Sequence, residues 1–318
     1  MCKVSVVMTT YNGERFLAEQ MQSLLKQTRL PDEVIICDDC SKDGTVETVR
    51  RFIETRGLSN WYFFENAENC GYVKNFREAM GRAGGDIMFL CDQDDVWEPD
   101  KIEKMAGAME ADPAILAMAC GYRLIDGEGK PLVSDTKKFY SASGRDTEGG
   151  VSPVRSGKTL YYNIAQGCAC AYRRELVEQY RAAQGGQQMP HDWALNLLAY
   201  QQQGLYYLNR ELLRYRIHGK NQAGVSDARK KISNRIPNLL DYARIMEDAA
   251  GLPVAEDIAG EIRLLAEFTH VRVQWLRERK LSLWLKGFFR YFPTVRGYFF
   301  KEYLKDLALV LLKKLPGE

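Results

Sequence analysis

The chain has 318 residues, 46% hydrophobic, with 44 Lys and Arg against 42 Asp and Glu, a formal net charge of +2. That is enough apolar material for one large domain with an appendage or for two modest ones, and the balanced charge does not suggest nucleic-acid binding. No run reaches the roughly 18 to 20 apolar residues of a membrane span, which points to the cytoplasm.

The first hundred residues alternate strand and helix. The opening "KVSVVMTTY" is β-rich and reaches polar residues by Thr9, so it reads as a buried parallel strand rather than a signal peptide. In "RFLAEQMQSLLKQT", Phe16, Met21, Leu24 and Leu25 share one helical stripe. "PDEVIICDD" is a second strand ending in acids. "SKDGTVETVRRFIETRG" is a helix stopped at Gly57. "NWYFFEN" is a third strand, "YVKNFREAMGRA" a helix, and "GDIMFLCDQDD" a fourth strand. Repeated strand–helix–strand units imply right-handed crossovers and a mainly parallel sheet, with its polar loops on the edge where open α/β sheets bind ligands.

Residues 126–158 are polar and glycine-rich and read as a long, partly mobile loop. Apolar pattern returns in "LYYNIAQGCACAYRREL", in a helix "HDWALNLLAYQQQG" and in a strand "LYYLNRELLRYRIHG". "NQAGVSDARKK" reads as a linker, and the remainder is helical. There Leu281, Trp284, Leu285, Phe288, Phe299, Tyr303 and Leu307 recur at helical spacing among lysines and arginines, and Pro293 should split the segment into two helices. This appendage either packs on the rest of the chain, makes a homodimer contact, or lies on an anionic leaflet. His270, inside an apolar helical pattern, reads as a core or interface residue.

The eight cysteines read as free thiols and small strand-end hydrophobes. A zinc site from Cys37, Cys40, Cys168 and Cys170 is the alternative, and no helix opens between Cys37 and Cys40 as a redox motif would need.

The chemistry lies in "FLCDQDDVWEPDK". Carboxylates this close repel, so either the turn is solvated, with Asp94 or Asp95 capping the helix near Pro99, or a cation belongs there. Asp-x-Asp oxygens suit Mg²⁺ or Mn²⁺. The first two strands end nearby in "TTYNG" and "ICDDCSKDGT", supplying an aromatic ring, amides and carboxylates that could hold a base, a ribose and a diphosphate.

The stretches "VSVVMTTYNGERFLAEQMQSLLKQT", "DEVIICDDCSKDGT", "NCGYVKNFREAM" and "FLCDQDDVWEPDKIE" resemble the successive motifs of family 2 glycosyltransferases of the GT-A fold. The resemblance runs through residues 1–105 and thins to about residue 224. With "HDW" and "YRIHGKN", the chain is most similar to bacterial rhamnosyltransferases of cell-wall and capsule assembly. The resemblance implies a glycosyltransferase domain over residues 1–224, with a nucleotide-sugar half to about 105 and an acceptor half beyond, and a helical region over 225–318. It implies Thr9, Tyr11, Asn12, Asp38, Asp39, Asn75, Asp92, Gln93 and Arg216 on the donor side, with Asp38 alternatively only capping a turn. It implies Asp92 and Asp94, with His218, around a divalent metal. Asp192 falls at the catalytic base, with a helix cap as its alternative. Gly167, Cys168, His191 and Trp97 fall on the acceptor side, Trp97 either stacking a sugar or packing its turn. The implied reaction is inverting transfer from a nucleotide-diphosphate sugar to a glycan or lipid-linked acceptor. Two departures stand out: His191-Asp192 replaces the usual acidic pair, and no QxxRW-like motif follows. A nucleotidyltransferase or a dehydrogenase would need a glycine-rich loop after the first strand, which "TTYNGERF" lacks. A non-catalytic sugar-binding module would not need Asp92, Asp94 and Asp192 together.

Overall fold

The computed structural model describes residues 1–132, 149–155, 157–219, 234–295 and 300–311. The chain divides into two compact units, Met1–Ala182 with Pro190–His218, and Ala183–Met189 with Gly219–Glu318.

In the first unit, β1 (Val4–Thr10), β2 (Glu33–Asp38), β3 (Trp61–Glu65) and β4 (Ile87–Cys91) are the four expected strands. The helices between them, α1 (Glu14–Leu25), α2 (Thr45–Arg56) and α3 (Tyr72–Arg82), make the crossovers that parallel pairing requires. β2 and β4 are buried along their whole length, which is why both read as unbroken apolar runs. The helix α2 stops at Gly57, whose φ of +60° lets its own and the next amide bond back to Glu54 and Ile53.

The remaining strands are β5 (Val96–Trp97), β6 (Ala117–Ile125), β7 (Val151–Pro153), β8 (Cys170–Arg173) and β9 (Leu205–Arg216). The sheet order is β3-β2-β1-β4-β8-β6-β9-β5, with β7 also on β9. Pairing is parallel from β3 to β4. Beyond β4 it is mixed, because β8 runs antiparallel to both β4 and β6. The sheet is therefore an α/β sheet flanked by helices, parallel throughout from β3 to β4 and again between β6 and β9, with β8 antiparallel between the two parallel parts. β7 lies within the stretch expected to be loop, and a 3₁₀ turn at Gly157–Leu160 begins at its end. The rest of that loop, residues 133–148, and the expected linker lie outside the described residues.

Three more helices complete this unit: α4 (Lys101–Ala111), α5 (Arg174–Ala182) and α6 (His191–Gln201). α6 buries every residue from His191 to Ala199, so it is an interior helix rather than a surface one.

The second unit holds α7 (Arg235–Ala249), α8 (Glu256–Glu278), α9 (Leu281–Val295) and α10 (Phe300–Leu311). Leu239, Val273, Trp275 and Leu276 form its core, with Trp284 and Leu307 packed against them. Asp306 is fully buried there between Arg235 (2.6 Å) and Arg272 (2.8 Å). α9 runs past Pro293 to Val295, so the division falls after the proline and not at it. Pro293 has no N–H to donate, so one backbone bond is missing in the last turn of α9, just before the helix ends. No helix among the described residues is long and apolar enough to cross a membrane.

Candidate active site

The polar ends of β1, β2 and β4 meet on one edge of the sheet. After β1, the backbone of Tyr11 is clamped by Gln93, whose Oε1 accepts the Tyr11 N–H (2.8 Å) and whose amide donates to the Tyr11 carbonyl (3.0 Å). Gly13 leaves room for this clamp, since a Cβ there would overlap the Gln93 carboxamide. Asn12 holds a left-handed φ of +49°. Its N–H donates to Ser41 Oγ (2.9 Å), and its side-chain oxygen accepts the Lys42 N–H (2.8 Å). The Tyr11 ring is left exposed and Thr9 half-buried.

Asp38 accepts the hydroxyls of Thr10 (2.7 Å) and Ser41 (2.6 Å) and the Ser41 N–H (2.8 Å). Asn75 donates to the Cys37 carbonyl (3.0 Å) and accepts from Asn66 (3.1 Å). Both are almost wholly buried. Expected on the donor side, they brace the loops instead, because their polar atoms already bond inside the protein. Asp39 accepts the backbone N–H groups of Cys70 (2.9 Å) and Gly71 (2.8 Å) and the Asn66 amide (3.0 Å). Burial pushes its carboxyl up, but these bonds outweigh burial and hold it below its ordinary value.

The turn after β4 carries the acids. Burial first, then Asp94 and Asp192, push Asp92 up to about 7. Asp95 is raised well above the ordinary value by burial and by its own neighbours, Asp94 and Asp92. Its Oδ1 accepts the Arg216 N–H (3.0 Å), while Oδ2 is buried without a hydrogen-bond partner. Asp94 meets His218 Nε2 at 2.8 Å. Arg216, expected to face the donor, is buried: it donates to the Asp94 carbonyl (2.7 Å) and to Glu19 (2.6 Å). It fastens the acidic turn to the end of β9.

Asp192 lies in the first turn of α6, 8% exposed. Its two oxygens accept the N–H groups of Gly167 (2.9 Å) and Trp193 (2.8 Å). Gly167 thus orients Asp192. Cys168, expected on the acceptor side, is buried with its sulfur beside Asp92 and Asp95, where burial keeps the thiol protonated. His191 stacks on Phe76 at 4.1 Å between ring centres, and burial lowers its pKa. Trp97 is also buried, packed on Phe89 (5.8 Å), so it presents no face to a sugar.

Lys101 escaped the sequence reading. It opens α4 fully buried, donating to the Cys168 carbonyl with its ammonium 4.2 Å above the Trp97 ring centre. A cation at a helix N-terminus opposes the helix dipole, and that was the available signal that partners elsewhere in the fold hold it. Asp95 was legible only as a possible cap.

Among the described residues, one group of three potential metal ligands stands out: Asp92, Asp95 and Cys168, within 4.8 Å of one another. None of the four cysteines of the zinc alternative except Cys168 belongs to it. Crowded carboxylates with raised proton affinity and one unpartnered oxygen suit a hard divalent cation, and a protonated thiol does not compete for it.

The profile of glycosyl transferase family 2 matches residues 5–181, more than half of the chain. The chain belongs to glycosyl transferase family 2. It is 25% identical to an uncharacterized glycosyltransferase of Nostoc sp. over 98% of this chain and 97% of that one. It is 33% identical to the UDP-Glc:alpha-D-GlcNAc-diphosphoundecaprenol beta-1,3-glucosyltransferase WfgD of Escherichia coli, over 33% of this chain and 40% of the other. Among solved structures, TarS of S. aureus in complex with UDP-GlcNAc aligns with a TM-score of 0.60 at 18% identity, covering 90% of this chain and 79% of that one. The mannosyltransferase PcManGT of Pyrobaculum calidifontis, in complex with GDP-Man and Mn2+, aligns at 0.54 and 20% identity, covering 90% and 74%. At these identities the neighbours establish the GT-A-type fold. The family 2 membership makes the chain a glycosyltransferase.

Proposed function

We propose that this enzyme transfers a sugar from a nucleotide-diphosphate donor to a hydroxyl of a glycan or lipid-linked acceptor, with inversion, in bacterial cell-surface polysaccharide synthesis on the cytoplasmic side. The observation that carries the proposal is the meeting of Asp92, Asp94 and Asp192: Asp192 raises the proton affinity of Asp92, and both border the Gly167–Cys168 segment.

Tyr11 and Thr9 face the nucleotide, with Asp39 setting the loop beneath it. Asp92, with Asp94 or the neighbouring Asp95, would hold a divalent cation, Mn²⁺ or Mg²⁺, with His218 behind Asp94. When bound, the cation supplies positive charge to the leaving diphosphate. Asp192, held in one orientation by two backbone N–H groups, accepts the proton of the acceptor hydroxyl. The hydroxyl oxygen bonds to the anomeric carbon as the carbon–oxygen bond to the diphosphate breaks on the opposite face. His191 forms a wall of the acceptor side, and the buried α6 keeps Asp192 from moving.

The donor proposed is dTDP-L-rhamnose, on the likeness of "CDQDDVW", "HDW" and "YRIHGKN" to bacterial rhamnosyltransferases. A second reading, a UDP-hexose or UDP-N-acetylhexosamine, is favoured by the donors named for WfgD and TarS. A panel of nucleotide sugars, assayed for hydrolysis with Mn²⁺ and again with a chelator, separates the two. Turnover of dTDP-rhamnose alone supports the first reading, and turnover of a UDP-sugar the second. Hydrolysis unaffected by the chelator contradicts the metal assignment, and no turnover of any donor contradicts the whole proposal.

A further inference from the structure

We infer that the outer faces of α9 and α10 dock on an anionic lipid bilayer. The inner faces of both helices are accounted for. Tyr291 and Tyr303 pack on Phe268 of α8, and Asp306 bonds Arg272 of the same helix. Tyr303 also donates to the Trp284 carbonyl (2.6 Å), joining α10 to α9. The opposite faces therefore turn away from α8.

What those faces carry is not what a solvated helix carries. On α9, Leu281, Leu285 and Phe289 repeat every four residues and form one stripe, with Leu281 57% and Phe289 74% exposed. Lys286 and Arg290 follow the stripe one position on, both exposed. On α10, Leu304, Ala308 and Leu311 form a second exposed stripe beside Lys301 and Lys305, with Leu311 69% exposed. The acids leave part of this charge in place. Asp306 is buried against two arginines, Glu302 is shared between Arg235 (2.9 Å) and Lys305, and Arg290 meets Glu267 of α8 (3.5 Å), so Lys286 and Lys301 carry most of the outward positive charge.

Apolar stripes edged by lysine and arginine match the boundary between acyl chains and acidic headgroups. They match a second copy of themselves poorly, because a twofold contact would set each cationic face against its own image. Over its described residues neither helix is long enough to span, so the contact proposed is interfacial.

The test uses the full chain and sedimentation with vesicles of phosphatidylcholine, alone or mixed with phosphatidylglycerol. Binding should require phosphatidylglycerol and weaken with salt. Lys286→Gln with Lys301→Gln should weaken it by roughly 25-fold, and Phe289→Ser should weaken it separately. Circular dichroism and nucleotide-sugar hydrolysis report that the variants are folded. No binding by the unaltered chain, or equal binding to both vesicle types, overturns the inference. So does a sedimentation-velocity result in which the chain is a dimer and Phe289→Ser makes it a monomer.

Discussion

Replacing Lys101 by methionine tests whether the buried ammonium organises the site. Methionine keeps the unbranched apolar stem, one atom shorter, and removes the charge. The change deletes a charged donor's bond to the Cys168 carbonyl, on the order of 1.5–3 kcal/mol, and a desolvated contact with the Trp97 ring, about 2 kcal/mol. It also removes the cation near Asp92, whose acid is already crowded by Asp94 and Asp192. Methionine has no charge to desolvate, which returns part of the loss, and Asp92 can take a proton. A net destabilisation of about 3 kcal/mol results, or a midpoint lower by roughly 6–12 °C for a unit of this size. Turnover should fall as well, by up to about 10²-fold, because Cys168 adjoins the Gly167 amide that orients Asp192. Thermal unfolding followed by circular dichroism, with a turnover assay on the same samples, measures both. A variant with the unaltered midpoint and turnover would refute the reasoning.

Gly13→Ala should drive the Gln93 carboxamide off Tyr11, costing two hydrogen bonds, roughly 1–3 kcal/mol. Calorimetric titration should then find weaker nucleotide-diphosphate binding. Acid stability follows from Glu33 and Asp39. Burial pushes Glu33 up, but bonds from Ser5, Gly84 and Lys3 hold it below its ordinary 4.5, as similar bonds hold Asp39 below 3.8. In both, the folded state binds the proton less tightly than the unfolded chain. Their stabilisation is complete above about 4.5 and is lost as pH falls through the lowered values. Glu33→Gln should flatten the acid limb of a stability-versus-pH curve, and an unchanged limb would contradict the assignment.

The first half of the sheet was legible because each strand there is a short apolar run closed by a helix with its own stripe and stop. Gly57 ended α2 as its φ requires. The acidic turn was legible too, since acids that end a buried strand need a reason. What was not legible depended on partners distant in sequence. Asp38 and Asp39 look alike as neighbours, yet one bonds the loop of β1 and the other the turn at Cys70 and Gly71. The resemblance put Arg216 on the donor side, but its bonds to Glu19 and the Asp94 carbonyl draw it inside. Trp97 went into the core because β5 pairs with β9, a contact no local pattern announces. A polar stretch after Asp126 still yields β7 because it pairs with β9, and it needs only that neighbour's edge.

The central claim is that Asp192 takes the acceptor's proton in a single displacement, and Asp192→Asn tests it most directly. Asparagine keeps the shape, and its side-chain oxygen can still accept one of the two backbone N–H bonds. Folding and donor affinity should therefore persist, because the nucleotide side is built from other residues. Turnover should drop by roughly 10² to 10⁴, the contribution of a positioned general base. Turnover and donor affinity are measured on both proteins, and NMR reads the anomeric configuration of the product. A large loss of turnover at unchanged affinity, with an inverted product from the unaltered enzyme, is the predicted result. Unaltered turnover in the variant, or a product that keeps the donor's configuration, would contradict the account.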